Sequence, residues 1–113
     1  MLTDLAGMFF NRNLGTGLLQ WFHHLAMEAS AHATIELLIS LRDEDLRADL
    51  AHIQVPTAII HGIHDQVVPF PSAQVMQQGI KGSHLYPFYN SGHGSVIDEM
   101  DAMNAVLIGF LQA

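Results

Sequence analysis

The chain divides by its hydrophobic pattern into a helical first part and an alternating second part, with the change near residues 43–56. Leu14, Leu18, Phe22, Leu25 and Ala29 recur every three to four residues, which predicts a helix with one apolar face. A second helix is predicted from Ala31 to Leu41, carrying Ile35, Leu38 and Leu41 on one side. Ahead of both, Met8, Phe9 and Phe10 form an apolar knot that ends in the turn-like Asn11-Arg12-Asn13. From Pro56 the rhythm changes. Thr57-Ala58-Ile59-Ile60-His61 is a short apolar run closed by Gly62, the pattern of a buried parallel strand. Pro69 and Pro71 mark a loop, and Ser72 is the expected N-cap of a helix ending at Gly79 or Gly82. His84 to Tyr89 reads as a second strand, with Pro87 pushing it towards a sheet edge. Ser91 to Ser95 is a loop, and one last helix is expected from Val96 to Leu111, with Val96, Met100, Met103, Val106 or Leu107, and Phe110 inward. Strand, helix, strand, helix is the order of an α/β sheet.

Composition narrows the possible functions. Half of the 113 residues are apolar, so a folded core is expected rather than a disordered acidic chain. Four basic against eleven acidic residues give a formal charge of −7. Arg12, Arg42, Arg47 and Lys81 are scattered, so no basic patch is available for nucleic acid or an anionic membrane. The absence of cysteine removes disulfides and thiol nucleophiles. Met1 to Gly7 lacks the basic and apolar regions of a signal peptide, and no apolar run is long enough for a membrane span. A cytoplasmic protein is the expectation.

Two short motifs resemble a known family. Leu46 to Pro69 contains Ile53-Gln54-Val55-Pro56-Thr57, the strand, and Gly62-Ile63-His64-Asp65-Gln66-Val67-Val68-Pro69. This looks like the acid strand of α/β-hydrolases. Asn90-Ser91-Gly92-His93-Gly94 resembles the histidine loop of the same family, followed by its C-terminal helix. The 28 residues from Asp65 to His93 leave room for one helix and one strand. The resemblance implies an α/β class and the C-terminal portion of an α/β-hydrolase sheet: two parallel strands with helices, an incomplete domain. Residues 1–42 look similar to the late part of the family's helical cap, and residues 43–113 to the end of its core. Within the family, the tail is most similar to small esterases and cofactor-free haloperoxidase-type hydrolases. The same resemblance implies no cofactor.

These residue types suit hydrolysis. A hydrolase base must accept a proton and later return it, which histidine can do near neutrality. A buried carboxylate on its other ring nitrogen fixes the tautomer and stabilises the imidazolium. Asp65 falls just past the end of a strand, where open α/β sheets place their sites, and His93 lies on a glycine-flanked loop. The resemblance thus makes Asp65 the acid and His93 the base, and puts Val67 and Val68 beside the substrate. Singly, each could equally be a loop aspartate capping a turn or a loop histidine near a helix end. The nucleophile is absent from this chain. None of Ser30, Ser40, Ser72, Ser83, Ser91 and Ser95 sits in a G-x-S-x-G elbow, and no glycine-rich oxyanion loop is present.

Eight histidines raise the question of a metal. His61-x-x-His64-Asp65 spans a strand end and a glycine, a spacing that does not aim both rings alike, so no metal site is expected. The six methionines and the Trp21-Phe22 pair read as packing or cap-pocket residues. Two parallel strands and two core helices alone would expose Ile59, Ile60 and Phe88, and such units are marginal without neighbours. The expected partners are therefore the N-terminal half of an α/β-hydrolase, or a second copy in a dimer or domain swap. With the first, the chain would serve a small-molecule acyl substrate as part of a serine-type esterase. The alternative is a non-catalytic interaction module derived from the same fold.

Overall fold

In the computed structural model, which describes residues 7–113, six helical segments surround a two-stranded parallel sheet. The stretch Met1–Ala6, part of the segment with no signal-peptide pattern, lies outside the described residues. After a helical turn at residues 7–9 come α1 (Gly15–Met27) and α2 (Ala31–Asp43). A 3-10 segment (Arg47–His52) leads into β1 (Ala58–Gly62), followed by α3 (Pro71–Gly79) and β2 (His84–Phe88). A short helix α4 (Ser95–Asp98) and α5 (Met100–Gln112) end the chain. Among the described residues no helix is long and apolar enough to cross a membrane.

The strands pair in register from Ala58 opposite His84 to Gly62 opposite Phe88. Period-two alternation puts Ile59 and His61 on one face of β1. Ile59 is buried there with Ala73 and Ile80, and Leu50 and Leu85 pack around them. Pro87, which has no N–H to donate, is tolerated because β2 has one ladder neighbour, β1, among the described residues. Contrary to expectation, Ile59 and Phe88 are each only 5% exposed, since α3 and the loops close over them.

Three predicted details shift. Ser72 is not a cap: α3 begins at Pro71, whose fixed φ suits the first helical position, and no side chain caps the helix. The serine that does cap is Ser30, whose Oγ accepts from the Ala33 amide at 3.3 Å to start α2. The first helix is also shorter than its apolar pattern, because Leu14 precedes it and Ala29 lies past Glu28, where the chain turns. The last helix is broken at Glu99, at φ −131° and ψ 58°. Neighbours on one continuous helix diverge by about 100°. The break instead turns Asp98 and Glu99 towards the same loop. Beyond it, Met103, Val106 and Phe110 form the partly buried stripe of α5, while Met100 and Leu107 face out.

Much apolar surface stays open. Every residue of α2 is exposed, with Ile35, Leu38 and Leu41 at 56%, 60% and 77%. The accessible surface is 8260 Å². A compact 12.4 kDa monomer would show about 6100 Å². The radius of gyration is 15.7 Å, against roughly 13 Å for a compact domain of this length.

Gly62 is closed in by backbone. A Cβ there would lie 2.3 Å from the Gly92 carbonyl oxygen and 2.4 Å from that of Ser91, both backbone atoms that cannot swing aside. At Gly17, inside α1, a Cβ meets nothing within 4 Å. Gly62→Ala is therefore expected to lose about 1–3 kcal/mol of unfolding free energy by overpacking. Gly17→Ala should be neutral or gain up to about 1 kcal/mol from helix propensity. Urea unfolding of the two variants side by side checks both.

Candidate active site

The site forms where the ends of β1 and β2 meet the loop that follows β2. Past β1 the chain keeps its ladder: the Ile63 amide donates to the Phe88 carbonyl and the His64 amide to the Ser91 carbonyl, both at 3.0 Å. The missing side chain of Gly62 lets the loop lie directly on the strand end. The Asp65 amide then donates to the Gly62 carbonyl at 3.2 Å, which turns the chain and aims the carboxylate inward.

The carboxylate of Asp65 is 4% exposed and fully engaged. Its Oδ1 accepts from the amides of Val67 and Val68, each at 2.8 Å. Its Oδ2 meets Nδ1 of His93 at 2.9 Å. Burial pushes the Asp65 carboxyl up. The Val68 amide, the His93 ring and the Val67 amide outweigh it, and together hold the group below the usual carboxylate range. The His93 ring is a third exposed. One flank of it is met edge-on by the Phe9 ring, with centroids 4.7 Å apart. The Asp65–His93 pairing expected from the sequence thus exists as a hydrogen bond. Val67 and Val68 lie beside it, but their contact with the site is through backbone amides, while their side chains are 38% and 39% exposed.

Several supporting groups had no signal in the sequence. Asp98, 6% exposed, accepts from the Gly92 and Asn11 amides at 2.8 Å and from the Arg12 amide at 3.3 Å. Glu99 accepts from the buried Ser91 hydroxyl at 2.6 Å and from the Asn90 amide at 3.0 Å. The Ser91 hydroxyl is the main cause that holds the Glu99 carboxyl below its ordinary value, against a smaller effect of burial. Two adjacent carboxylates therefore grip the histidine loop from beneath. The apolar knot belongs to this construction as well: the Phe9 carbonyl accepts from the Gly94 amide at 2.7 Å, and Phe9 and Phe10 both pack on Phe22 of α1. Residues 9–12 are thus tied to the histidine loop as well as to α1. His61, which the sequence raised only as a possible metal ligand, also stands here: its Nε2 is 2.9 Å from the Val68 carbonyl and 3.2 Å from Asp65 Oδ2. His64, in contrast, is exposed and joins the site only through its amide.

Similar known proteins include hydrolases, esterases and haloperoxidases. No family model matches the chain. The AB hydrolase superfamily protein YisY of Bacillus subtilis is 47% identical over 109 residues, 96% of this chain and 41% of that protein. A non-heme haloperoxidase of Rhodococcus erythropolis is 32% identical over 108 residues, 92% of this chain and 39% of its own length. Among solved structures, an esterase from Exiguobacterium antarcticum superposes with a TM-score of 0.95 at 44% identity, covering 99% of this chain and 42% of that one. The chain belongs to the α/β-hydrolase superfamily, and it corresponds to the C-terminal portion of that fold. It spans about two-fifths of the length of the relatives it matches.

The pH dependence has a definite sign. The Asp65 carboxyl is held below its unfolded value, so its contribution to stability is complete above about pH 4 and is lost as pH falls through the folded value. Asp65→Asn is expected to be less stable than the parent at pH 7 by on the order of 2 kcal/mol, the worth of hydrogen bonds to a charged group. The gap should close as pH falls below about 4. Unfolding midpoints measured from pH 7 down to pH 3 check this.

Proposed function

We propose that this chain supplies the acid and the base of a serine-type α/β-hydrolase, and that the nucleophile comes from the N-terminal half of the fold. The observation that carries this reading is the 2.9 Å contact between His93 Nδ1 and Asp65 Oδ2. With Nδ1 donating to the carboxylate, Nε2 is the nitrogen left to work on a hydroxyl. A serine Oγ–H placed against Nε2 would give up its proton as the oxygen attacks an acyl carbonyl. Asp65 would stabilise the imidazolium so formed, and His93 would return the proton to the departing alcohol. A water activated by the same nitrogen would then release the acid and regenerate the serine. Val67 and Val68, half-open beside Asp65, are the substrate-side residues of this chain.

The open surface supports a missing half. The excess of roughly 2000 Å² over a compact monomer is the size of a large, stable interface. In a parallel sheet both faces and both edges are normally covered, and β1 pairs with β2 on one side only. The free edge of β1 is the natural seat for the next strand. That half either precedes this chain in a longer polypeptide or is a separate one; esters are the substrate class that the esterase likeness favours.

The test is reconstitution. This chain alone should not hydrolyse p-nitrophenyl acetate. Paired with the nucleophile-bearing half of a close superfamily member, it should. His93→Ala or Asp65→Asn should then lower kcat by about a thousandfold or more, leaving a residue of catalysis from the oxyanion hole. No hydrolysis in any pairing that assembles would instead favour a non-catalytic module.

A further inference from the structure

His61 has no part in the chemistry just described, yet it is mostly buried beside it, with its side chain 14% exposed. It is the fourth residue of β1 and faces the same side as Ile59, with Phe70 edge-on to its ring at a centroid distance of 5.8 Å. Its Nε2 stands between two oxygens, the Val68 carbonyl at 2.9 Å and Asp65 Oδ2 at 3.2 Å. Neither can donate a hydrogen when Asp65 is ionised. The nitrogen must therefore carry the hydrogen, and the bond runs from His61 to the Val68 carbonyl. This fixes the Nε2–H form of the ring.

We infer that His61 is a positioning residue for Asp65: it clamps the turn from Asp65 to Val68 so that the carboxylate keeps its aim at His93. This inference rests on the hydrolase reading only for its catalytic consequence. The physical chain is short. Val68 is held twice, its amide donating to Asp65 Oδ1 and its carbonyl accepting from His61. The Val68 carbonyl and amide belong to the two peptide units that flank its Cα, so releasing the carbonyl frees Val68 on one side, its amide can swing away, and Oδ1 loses one of its two donors. On the other side, the positive end of the Nε2–H bond lies near Oδ2, the same oxygen that faces His93. A second donor there disfavours transfer of a proton from His93 to Asp65, so the acid stays a carboxylate while the imidazolium forms. A carboxylate has about four acceptor sites. Around Asp65, two amides and two ring nitrogens surround them.

Three substitutions separate this role from simple packing. Gln places an amide nitrogen close to the position of Nε2, Asn is polar but too short, and Leu fills the space without a donor. In the chain itself, amide hydrogen exchange of Val67 and Val68 should speed up at least tenfold in His61→Leu and His61→Asn, with little change in His61→Gln. The Ile63 and His64 amides, which close the β1–β2 end, serve as the internal reference and should stay protected. In the reconstituted hydrolase, kcat should fall about tenfold in the Leu and Asn variants with KM unchanged, and the Gln variant should recover most of it. Unchanged Val67 and Val68 exchange in both the Leu and Asn variants would overturn the proposal, and so would a Gln variant that behaves as badly as Asn. If the parent shows no hydrolysis with any nucleophile half, the hydrolase reading has failed, and the exchange measurement still decides the role of His61. Should the Leu variant fail to fold, the Asn and Gln pair gives the same decision.

Discussion

The close approach of the histidine loop to the end of β1 is the constraint on which the site depends. Gly62 leaves room for the Ser91 and Gly92 carbonyls at distances no side chain would allow. Because the loop can lie that low, His93 reaches Asp65, and Asp65 sits immediately after the strand that sets the loop's height. The rest of the local structure serves this approach. Asp98 holds the Gly92 amide, Glu99 holds Ser91 and Asn90, and the break between α4 and α5 lets both carboxylates point the same way. A buried carboxylate is costly unless it is satisfied by donors, and both Asp65 and Asp98 are.

Two ranges of order coexist in this chain. The acid–base corner is small, dense in hydrogen bonds and closed by Ile59, Ala73, Ile80 and Phe88. The helices around it are largely uncovered. Trp21, Leu25 and the apolar residues of α2 stay open, and the surface exceeds that of a compact monomer by about a third. We read a hydrophobic face of this extent as a contact surface rather than a solvated one. The hydrogen-bonded corner is thus a part of the fold that is locally complete, while the helices around it are the open parts.

How much of this was legible in the sequence follows from what sequence patterns encode. The strands could be read from the apolar runs 57–61 and 84–89, and they form within one residue of those bounds. Asp65 and His93 could be read because each lies in a short motif whose order and spacing match a family. Helix ends were less legible. Ser72 has the right residue type for a cap, but the fixed φ of Pro71 starts that helix one position earlier. The break at Glu99 has no proline or glycine to announce it, since its cause is tertiary: the hydrogen bonds to Asn90 and Ser91. The same holds for Asp98, which reaches Asn11 across 87 positions of sequence, and for His61, whose partner Val68 is fixed only once the turn has formed. Local pattern reports elements; these contacts are made between them.

The proposed acid and base already meet in this chain through the His93–Asp65 hydrogen bond. The most direct measurement is proton NMR of the His93 ring in the chain by itself. The account requires a slowly exchanging Nδ1–H signal at low field near neutral pH, present without any other half and lost in Asp65→Asn. A His93 ring whose N–H protons exchange as fast as those of the exposed His32, with no dependence on Asp65, would contradict it.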